Sequence, residues 1–153
     1  MMALLEPRRE YGITILRVML GITFLMHGYL GAFILTPAGL TAFNVSNGIP
    51  FPVMTAWFVI FGHFLGGTAL LLGAYTRLGA LVNILIIGGA IWFIHLKQGF
   101  FMKGITLDAA KGSAVAGGYE YALVLLVASV AVLLLGSGPL ALDRGSKRVS
   151  LSP

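Results

Sequence analysis

The chain has no cysteine among its 153 residues, which excludes several kinds of chemistry at once. Without a thiol, the chain by itself forms no disulfide, no thiol relay and no thiolate metal site. Charge is also scarce, because Asp, Glu, Lys and Arg together make up 10% of the residues. Soluble domains carry about 25% of these residues, so the composition is typical of a protein embedded in lipid.

Common signatures of soluble enzymes and of nucleic-acid-binding proteins are missing as well. The sequence contains no P-loop, no G-x-S-x-G, no H-E-x-x-H and no dinucleotide fingerprint. The formal net charge is +5, but no helix-turn-helix, zinc finger or basic-aromatic pattern accompanies it. We therefore expect no nucleic-acid partner, and any redox work must use a cofactor, a metal or the thiols of a partner.

Hydrophobic residues make up 58% of the chain and concentrate in four stretches. These stretches cover residues 12–35, 53–73, 78–96 and 118–136. Each approaches the roughly 20 residues that a helix needs to cross a bilayer. The pattern predicts an all-α fold, in which one domain over residues 1–153 forms an integral membrane four-helix bundle with up-down-up-down topology. The first stretch is too long for a signal peptide and predicts a retained helix.

The basic residues predict how this bundle is oriented. Most of them lie at the two termini or at the turn between the second and third stretches: Arg8, Arg9, Arg17, Arg77, Arg144, Lys147 and Arg148. Only Lys97, Lys103 and Lys111 lie on the opposite side. Because basic residues accumulate on the cytoplasmic side, both termini are predicted to be cytoplasmic in a multi-pass protein of the cell inner (plasma) membrane.

Four polar side chains are the candidates for chemistry: His27, His63, His95 and Glu120. The predicted topology places them all in the outer half of the bundle, where an ionisable group is costly and is usually retained for function. If they converge, His27, His63 and His95 bind a cofactor, such as a metal ion, a haem edge or a quinone. His63 and Glu120 are then the catalytic candidates, and Glu120 takes up protons together with His95. Each of three residues also has a structural interpretation. His27 would form an interhelical hydrogen bond, His95 would reach interfacial water, and Glu120 would stabilise its helix through the helix dipole.

Other features are interpreted structurally. Arg17 is expected to extend to the inner interface, with an Arg17–Asn83 contact tying the bundle together. The uncharged first loop, 36–52, should lie against the membrane surface or dip into the bundle mouth, and the long third loop, 97–117, marks the working face. Glycines inside the second and third helices are interpreted as packing glycines: Gly62, Gly66, Gly67, Gly88 and Gly89.

Several short motifs together resemble the DoxX family of small four-helix membrane proteins. They are Arg17-Val18-Met19-Leu20-Gly21, Phe24, His27-Gly28, Gly48-Ile49-Pro50, Gly66-Gly67, Leu70-Leu71-Leu72-Gly73, Thr76-Arg77-Leu78-Gly79-Ala80, Gly99-Phe100-Phe101, Gly118-Tyr119-Glu120-Tyr121, Leu134-Leu135-Gly136-x-Gly138-Pro139 and Leu142-Asp143. The resemblance covers nearly the whole chain. Family members often carry a lysine after the first His-Gly and a glutamate before the Gly-Gly pair, where this chain has glycine and His63. This difference leaves room for a ligand-binding histidine site.

The resemblance implies a membrane redox protein or subunit acting at the quinone pool, similar to the small subunit of thiosulfate:quinone oxidoreductases. An anionic sulfur compound such as thiosulfate would be the donor, attracted by the outer lysines. Other membrane or periplasmic redox subunits would supply the electron carrier. The alternative is a non-catalytic membrane subunit that docks and stabilises a larger respiratory or oxidative-stress complex. A small-solute transporter fits less well, because the helices lack broken segments and inverted repeats.

Overall fold

The computed structural model describes residues 9–102, 105–108 and 113–143. The elements are α1 (Arg9–Tyr29), α2 (Thr36–Ser46), α3 (Pro52–Leu72), α4 (Thr76–Ala90), β1 (Ile105–Asp108), β2 (Ser113–Ala116) and α5 (Glu120–Leu135). A π-helical turn, Leu30–Ile34, continues α1, and a second one, Ile91–His95, continues α4. Several basic residues behind the orientation prediction lie outside the described residues: Arg8, Lys103, Lys111, Arg144, Lys147 and Arg148.

Three helical segments are long and apolar enough to cross a membrane. They are Tyr11–Ile34, Pro52–Leu72 and Thr76–Gln98, with 24, 21 and 23 residues. Helix α5 is apolar but has 16 residues, fewer than the other three. The predicted segments agree with α3 and α5, and with α1 and α4 extended by their π-helical turns, to within a few residues at their ends. The chain is therefore a predominantly helical, multi-pass membrane protein.

Helices α1, α3, α4 and α5 pack side by side, with α1 against α3 and α5, and α4 against α3 and α5. Gly21 of α1 lies against Leu71 of α3, whereas Gly31, beyond the end of α1, lies against Ile60. The two helices therefore run antiparallel. One apolar core joins all four helices and includes Phe24, Leu70, Ala80, Leu125 and Val132. Large apolar side chains also point outward and form the surface that meets the acyl chains, among them Ile15, Leu65 and Leu134.

The segment predicted as the first loop is largely a helix, α2, which packs on α3. Thr36 adopts a left-handed backbone conformation with φ 65°, which stops the preceding helix, and Pro37 then starts the next one. The Thr36 hydroxyl accepts a hydrogen bond from the Gly39 N–H at 3.3 Å. Leu40 is buried together with Ala56 and Ile60 of α3. The predicted surface loop is thus a helix fixed to the bundle.

The third loop also contains structure that the sequence did not predict. Strands β1 and β2 pair antiparallel, with Ile105 opposite Ala116 and Asp108 opposite Ser113. The segments on either side are joined directly, because the Tyr119 and Glu120 N–H groups donate to the carbonyls of Gly99 and Phe100, each at 3.0 Å. These bonds place the start of α5 beside the end of α4.

Candidate functional site

A cavity of about 360 Å³ lies at the end of the bundle that contains α2. We call this end the cavity end. The cavity is lined by residues from α1, α2, α3, α4 and α5, most of them apolar. Its polar side chains are His27, Asn44, Thr55, His63, His95 and Tyr121. A largely apolar cavity of this size with a few polar groups is typical of a site for a small molecule.

His63 is the most constrained polar group of this cavity. Its side chain is 4% exposed, and its ring stacks on Phe24 with centroids 5.4 Å apart and an interplanar angle of 8°. Nδ1 lies 2.8 Å from Asn83 Oδ1. The Asn83 amide nitrogen donates to the Gly79 carbonyl at 2.8 Å, so Oδ1 is the acceptor and His63 Nδ1 carries the proton. The remaining ring nitrogen, Nε2, is therefore an acceptor.

Gly66 makes this arrangement possible. A Cβ on Gly66 would collide with the Asn83 amide nitrogen, so only glycine leaves room for the asparagine beside α3. Gly62 and Gly67 are equally tight, with Ile86 Cδ1 2.6 Å and the Leu25 nitrogen 2.9 Å from their ideal Cβ positions. The packing interpretation is correct for these glycines.

Two other glycines do not fit that interpretation. A Cβ on Gly88 or Gly89 would meet no atom within 4 Å, so neither glycine is needed for close helix contact. Gly89 instead lines the cavity. Its missing side chain adds to the open volume, and the packing prediction was wrong for this pair.

His27 lies next to His63, a convergence that the sequence left open. The ring centroids are 5.7 Å apart, with an interplanar angle of 57°. His27 Nδ1 donates to the Thr23 carbonyl at 2.9 Å, which again leaves Nε2 as the acceptor. The structure thus brings two imidazoles together at the same end of the cavity.

His95 lines the same cavity from the end of α4. Its Nδ1 donates to the Gly117 carbonyl at 3.1 Å, which links the end of α4 to the residues before α5. Within the described ranges, no three His, Asp or Glu side chains are grouped closely enough to hold a metal ion. Of the three histidines, His27 and His63 have their rings close together, and the metal site predicted at His27, His63 and His95 stays a prediction.

Glu120 lies at the start of α5 and forms a hydrogen bond to the loop after α4. Its Oε1 accepts a hydrogen bond from the Met102 N–H at 2.8 Å. Its carboxylate ties the first turn of α5 to the loop after α4. Met102 and Tyr121 line the cavity, whereas Glu120 is not among the lining residues that the structure describes.

Arg17 lies away from the cavity, near the turn between α3 and α4. Its side chain is 1% exposed, so the expected extension to the membrane surface is wrong. The guanidinium donates to the carbonyls of Leu70 and Leu71 at the end of α3, and to those of Ser137 and Leu140 beyond α5. The predicted Arg17–Asn83 contact does not form, because Asn83 faces His63.

Asp143 closes the same end of the bundle. Its carboxylate oxygens accept hydrogen bonds from the Tyr75 and Thr76 N–H groups at 2.9 and 3.1 Å. Partial desolvation raises the pKa of this carboxyl, but the backbone hydrogen bonds, helped by the Arg17 charge, outweigh it and hold the pKa below its usual value. The interaction fixes the first turn of α4 and does not contribute to the cavity.

Sequence reasoning missed three polar residues of the cavity: Asn44, Thr55 and Tyr121. Asn44 is 3% exposed, and its amide nitrogen donates to the Pro52 carbonyl at 3.0 Å. The Thr55 hydroxyl donates to the Pro50 carbonyl at 2.8 Å. The signal was an asparagine in an uncharged segment, which is informative only once that segment is known to be a helix covering the bundle end.

Comparisons with known proteins agree with the resemblance seen in the sequence. The DoxX family model matches residues 12–96, a stretch that includes all three histidines. An uncharacterised protein of Haemophilus influenzae is 28% identical over 142 residues, covering 91% of this chain and 93% of that protein. No solved structure matches the chain. Since the family model covers more than half of the sequence, the chain belongs to the DoxX family.

Proposed function

We propose that this protein binds quinone-class molecules in the cavity and acts as a redox protein or subunit at the quinone pool. The observation that carries the proposal is the apolar cavity between membrane-spanning helices, with the nearly buried His63 ring on its wall. A molecule that dissolves in lipid and carries one polar ring suits this combination of apolar walls and a few oriented polar groups.

Access from the bilayer supports the same ligand class. Four residues that line the cavity are also exposed: Pro50, Phe58, Leu85 and Tyr121. Phe58 belongs to α3 and Leu85 to α4, so the cavity reaches the lipid-facing surface near these two helices. A quinone dissolved in the acyl chains therefore has a route to the histidines that does not pass through water.

The two neighbouring imidazoles suit the proton chemistry of a quinone couple. Oxidation of a hydroquinone to a quinone releases two electrons and two protons, and reduction takes them up. His27 and His63 each have an unprotonated Nε2 and a fixed Nδ1–H, so each is set to exchange one proton at Nε2. The residues of this chain thus position the ring and handle protons, while a partner subunit supplies the electron carrier.

In this proposal the four helices span the inner (plasma) membrane with both termini in the cytoplasm. The cavity end then faces outward, where Lys97 and the loop after it meet a periplasmic donor. The family resemblance supports an anionic sulfur compound such as thiosulfate as that donor. Lys97 is exposed next to the cavity-lining His95, which fits a role in attracting an anion to this face.

The proposal is tested with protein purified in mild detergent, by optical spectroscopy together with quinone and metal analysis. We expect a bound quinone-class molecule, quinone or hydroquinone, in the wild type and its loss in His63→Ala. Phe61→Ala is the matched control, because Phe61 lies on the same helix but is exposed on the outer surface. If wild type and His63→Ala are both free of quinone, hydroquinone, haem and metal, the proposal fails and the docking-subunit alternative takes its place.

A further inference from the structure

The polar side chains of the cavity share an uncommon property, because nearly all of their hydrogen-bond donors are already used. Nδ1 of each histidine donates to an oxygen of the protein: Thr23 O, Asn83 Oδ1 and Gly117 O. The Asn44 amide and the Thr55 hydroxyl donate to the carbonyls of Pro52 and Pro50. The hydrogen-bonding groups that remain available to a ligand are therefore almost all acceptors.

The remaining acceptors belong to residues that line the cavity. Among the described residues, no donor contacts Nε2 of His63, although only 4% of the side chain is exposed. Asn44 Oδ1 and Thr55 Oγ1 likewise keep unused lone pairs. Two side-chain donors remain, the Tyr121 hydroxyl, which is exposed at the cavity edge, and the second amide hydrogen of Asn44.

We propose that this cavity selects a lipid-soluble molecule that carries hydroxyl donors, so that it binds the hydroquinone and discriminates against the quinone. The inference rests on the proposed function and adds to it the redox form of the ligand. A hydroquinone hydroxyl can donate to His63 Nε2, whereas a quinone oxygen at the same place faces another acceptor. Sites built around such hydrogen bonds reject analogues that lack the matching group strongly.

The size of the preference follows from the loss of one hydrogen bond in a buried site. We expect the hydroquinone to bind at least about tenfold more tightly than the corresponding quinone. Because the two forms are linked by a two-electron couple, a tenfold preference raises the midpoint potential of the bound couple by about 30 mV. The site therefore holds the reduced form and favours hydroquinone over quinone at equilibrium.

The experiment measures binding of three matched probes to the wild-type protein by anaerobic equilibrium dialysis. The probes are tetramethylhydroquinone, tetramethylbenzoquinone and the dimethyl ether of the hydroquinone, which keeps the ring but has no donor. We expect the hydroquinone to bind at least about tenfold more tightly than the other two. In His63→Phe this advantage should shrink, whereas Phe61→Ala should keep it.

Each other outcome has a distinct meaning. If the quinone binds as tightly as the hydroquinone or more tightly, the selectivity inference is overturned and the quinone site stands. If the dimethyl ether matches the hydroquinone, apolar packing alone explains binding, and the inference is likewise overturned. If none of the probes binds, the selectivity and the proposed quinone site fall together.

Discussion

His63 Nδ1 and Asn83 Oδ1 lie 2.8 Å apart, and this bond determines which ring nitrogen His63 presents to the cavity. The asparagine is itself fixed by donation to the Gly79 carbonyl and fits against α3 only because residue 66 is glycine. A short chain of contacts from Gly79 through Asn83 thus orients the imidazole. Removing the asparagine changes the histidine without touching the cavity wall directly.

Asn83→Leu should destabilise the protein by about 1–3 kcal/mol, because the His63 N–H and the Gly79 carbonyl both lose a buried partner. It should also allow the proton of His63 to occupy either ring nitrogen, because Asn83 no longer holds it on Nδ1. Histidine ¹⁵N chemical shifts report this directly, with a protonated Nδ1 at His63 in the wild type and a mixture in the variant. Asn47→Leu, at the end of α2, is the control and should leave the His63 signals unchanged.

Gly89→Leu should block the cavity while leaving the fold intact. A Cβ added at Gly89 meets no neighbour within 4 Å, and the residue lines the cavity, so a larger side chain there is expected to extend into the cavity. We expect at least a tenfold loss of hydroquinone affinity, with an unchanged melting temperature. Gly88→Leu is the control, because it is the same substitution at a glycine whose Cβ would also meet no atom within 4 Å but which does not line the cavity. Equal losses of hydroquinone affinity in both variants would contradict the assignment of the site.

Arg17→Met should be strongly destabilising, by about 3 kcal/mol or more, because several carbonyls lose a charged donor at once. Chemical denaturation in detergent measures the loss. Arg77→Met is the control, since Arg77 is exposed and its contact with the Leu134 carbonyl is long, at 3.5 Å. That variant should change stability by no more than about 0.5 kcal/mol.

Asp143 should make the stability of the protein depend on pH in the acid range. Since folding lowers the pKa of this carboxyl, its contribution is complete above the unfolded value of about 3.9 and is lost as the pH falls through the folded pKa. Thermal unfolding of the wild type and Asp143→Asn should therefore differ near neutral pH and converge in strong acid. A difference that stays constant down to the lowest pH would rule out the carboxylate as its source.

Glu120→Gln should retain turnover, because a glutamine oxygen can still accept the Met102 N–H. Glu120→Ala should loosen the link between α5 and the loop after α4 and lower the melting temperature. Turnover assays on both variants separate this positioning role from catalysis. Loss of turnover in the glutamine variant, with its melting temperature intact, would restore Glu120 as a proton carrier.

Hydropathy was sufficient to locate α1, α3, α4 and α5, since a bilayer-length apolar run has few other uses. It did not reveal α2, because Thr36-Pro37 looks like the start of a loop. One left-handed residue is enough to end one helix and begin another.

The sequence predicted how deep in the membrane the site residues lie, but not which of them face one another. Helix rise placed His27 and His63 at compatible levels, and the structure brings them together. Asn83 was paired with Arg17 because sequence gives depth along a helix but not its rotation about its axis. Rotation of α4 turns Asn83 toward His63, while Arg17 contacts the last turn of α3 instead.

The measurement that tests the central claim most directly is anaerobic photoaffinity labelling with an azido-substituted hydroquinone, followed by mapping of the labelled residues by mass spectrometry. The account predicts labels on cavity residues such as Phe58, His63 and Tyr121, removed by excess unlabelled hydroquinone. Labels confined to outward-facing residues such as Phe61 and Leu65, and unaffected by competition, would contradict a quinone site in this cavity.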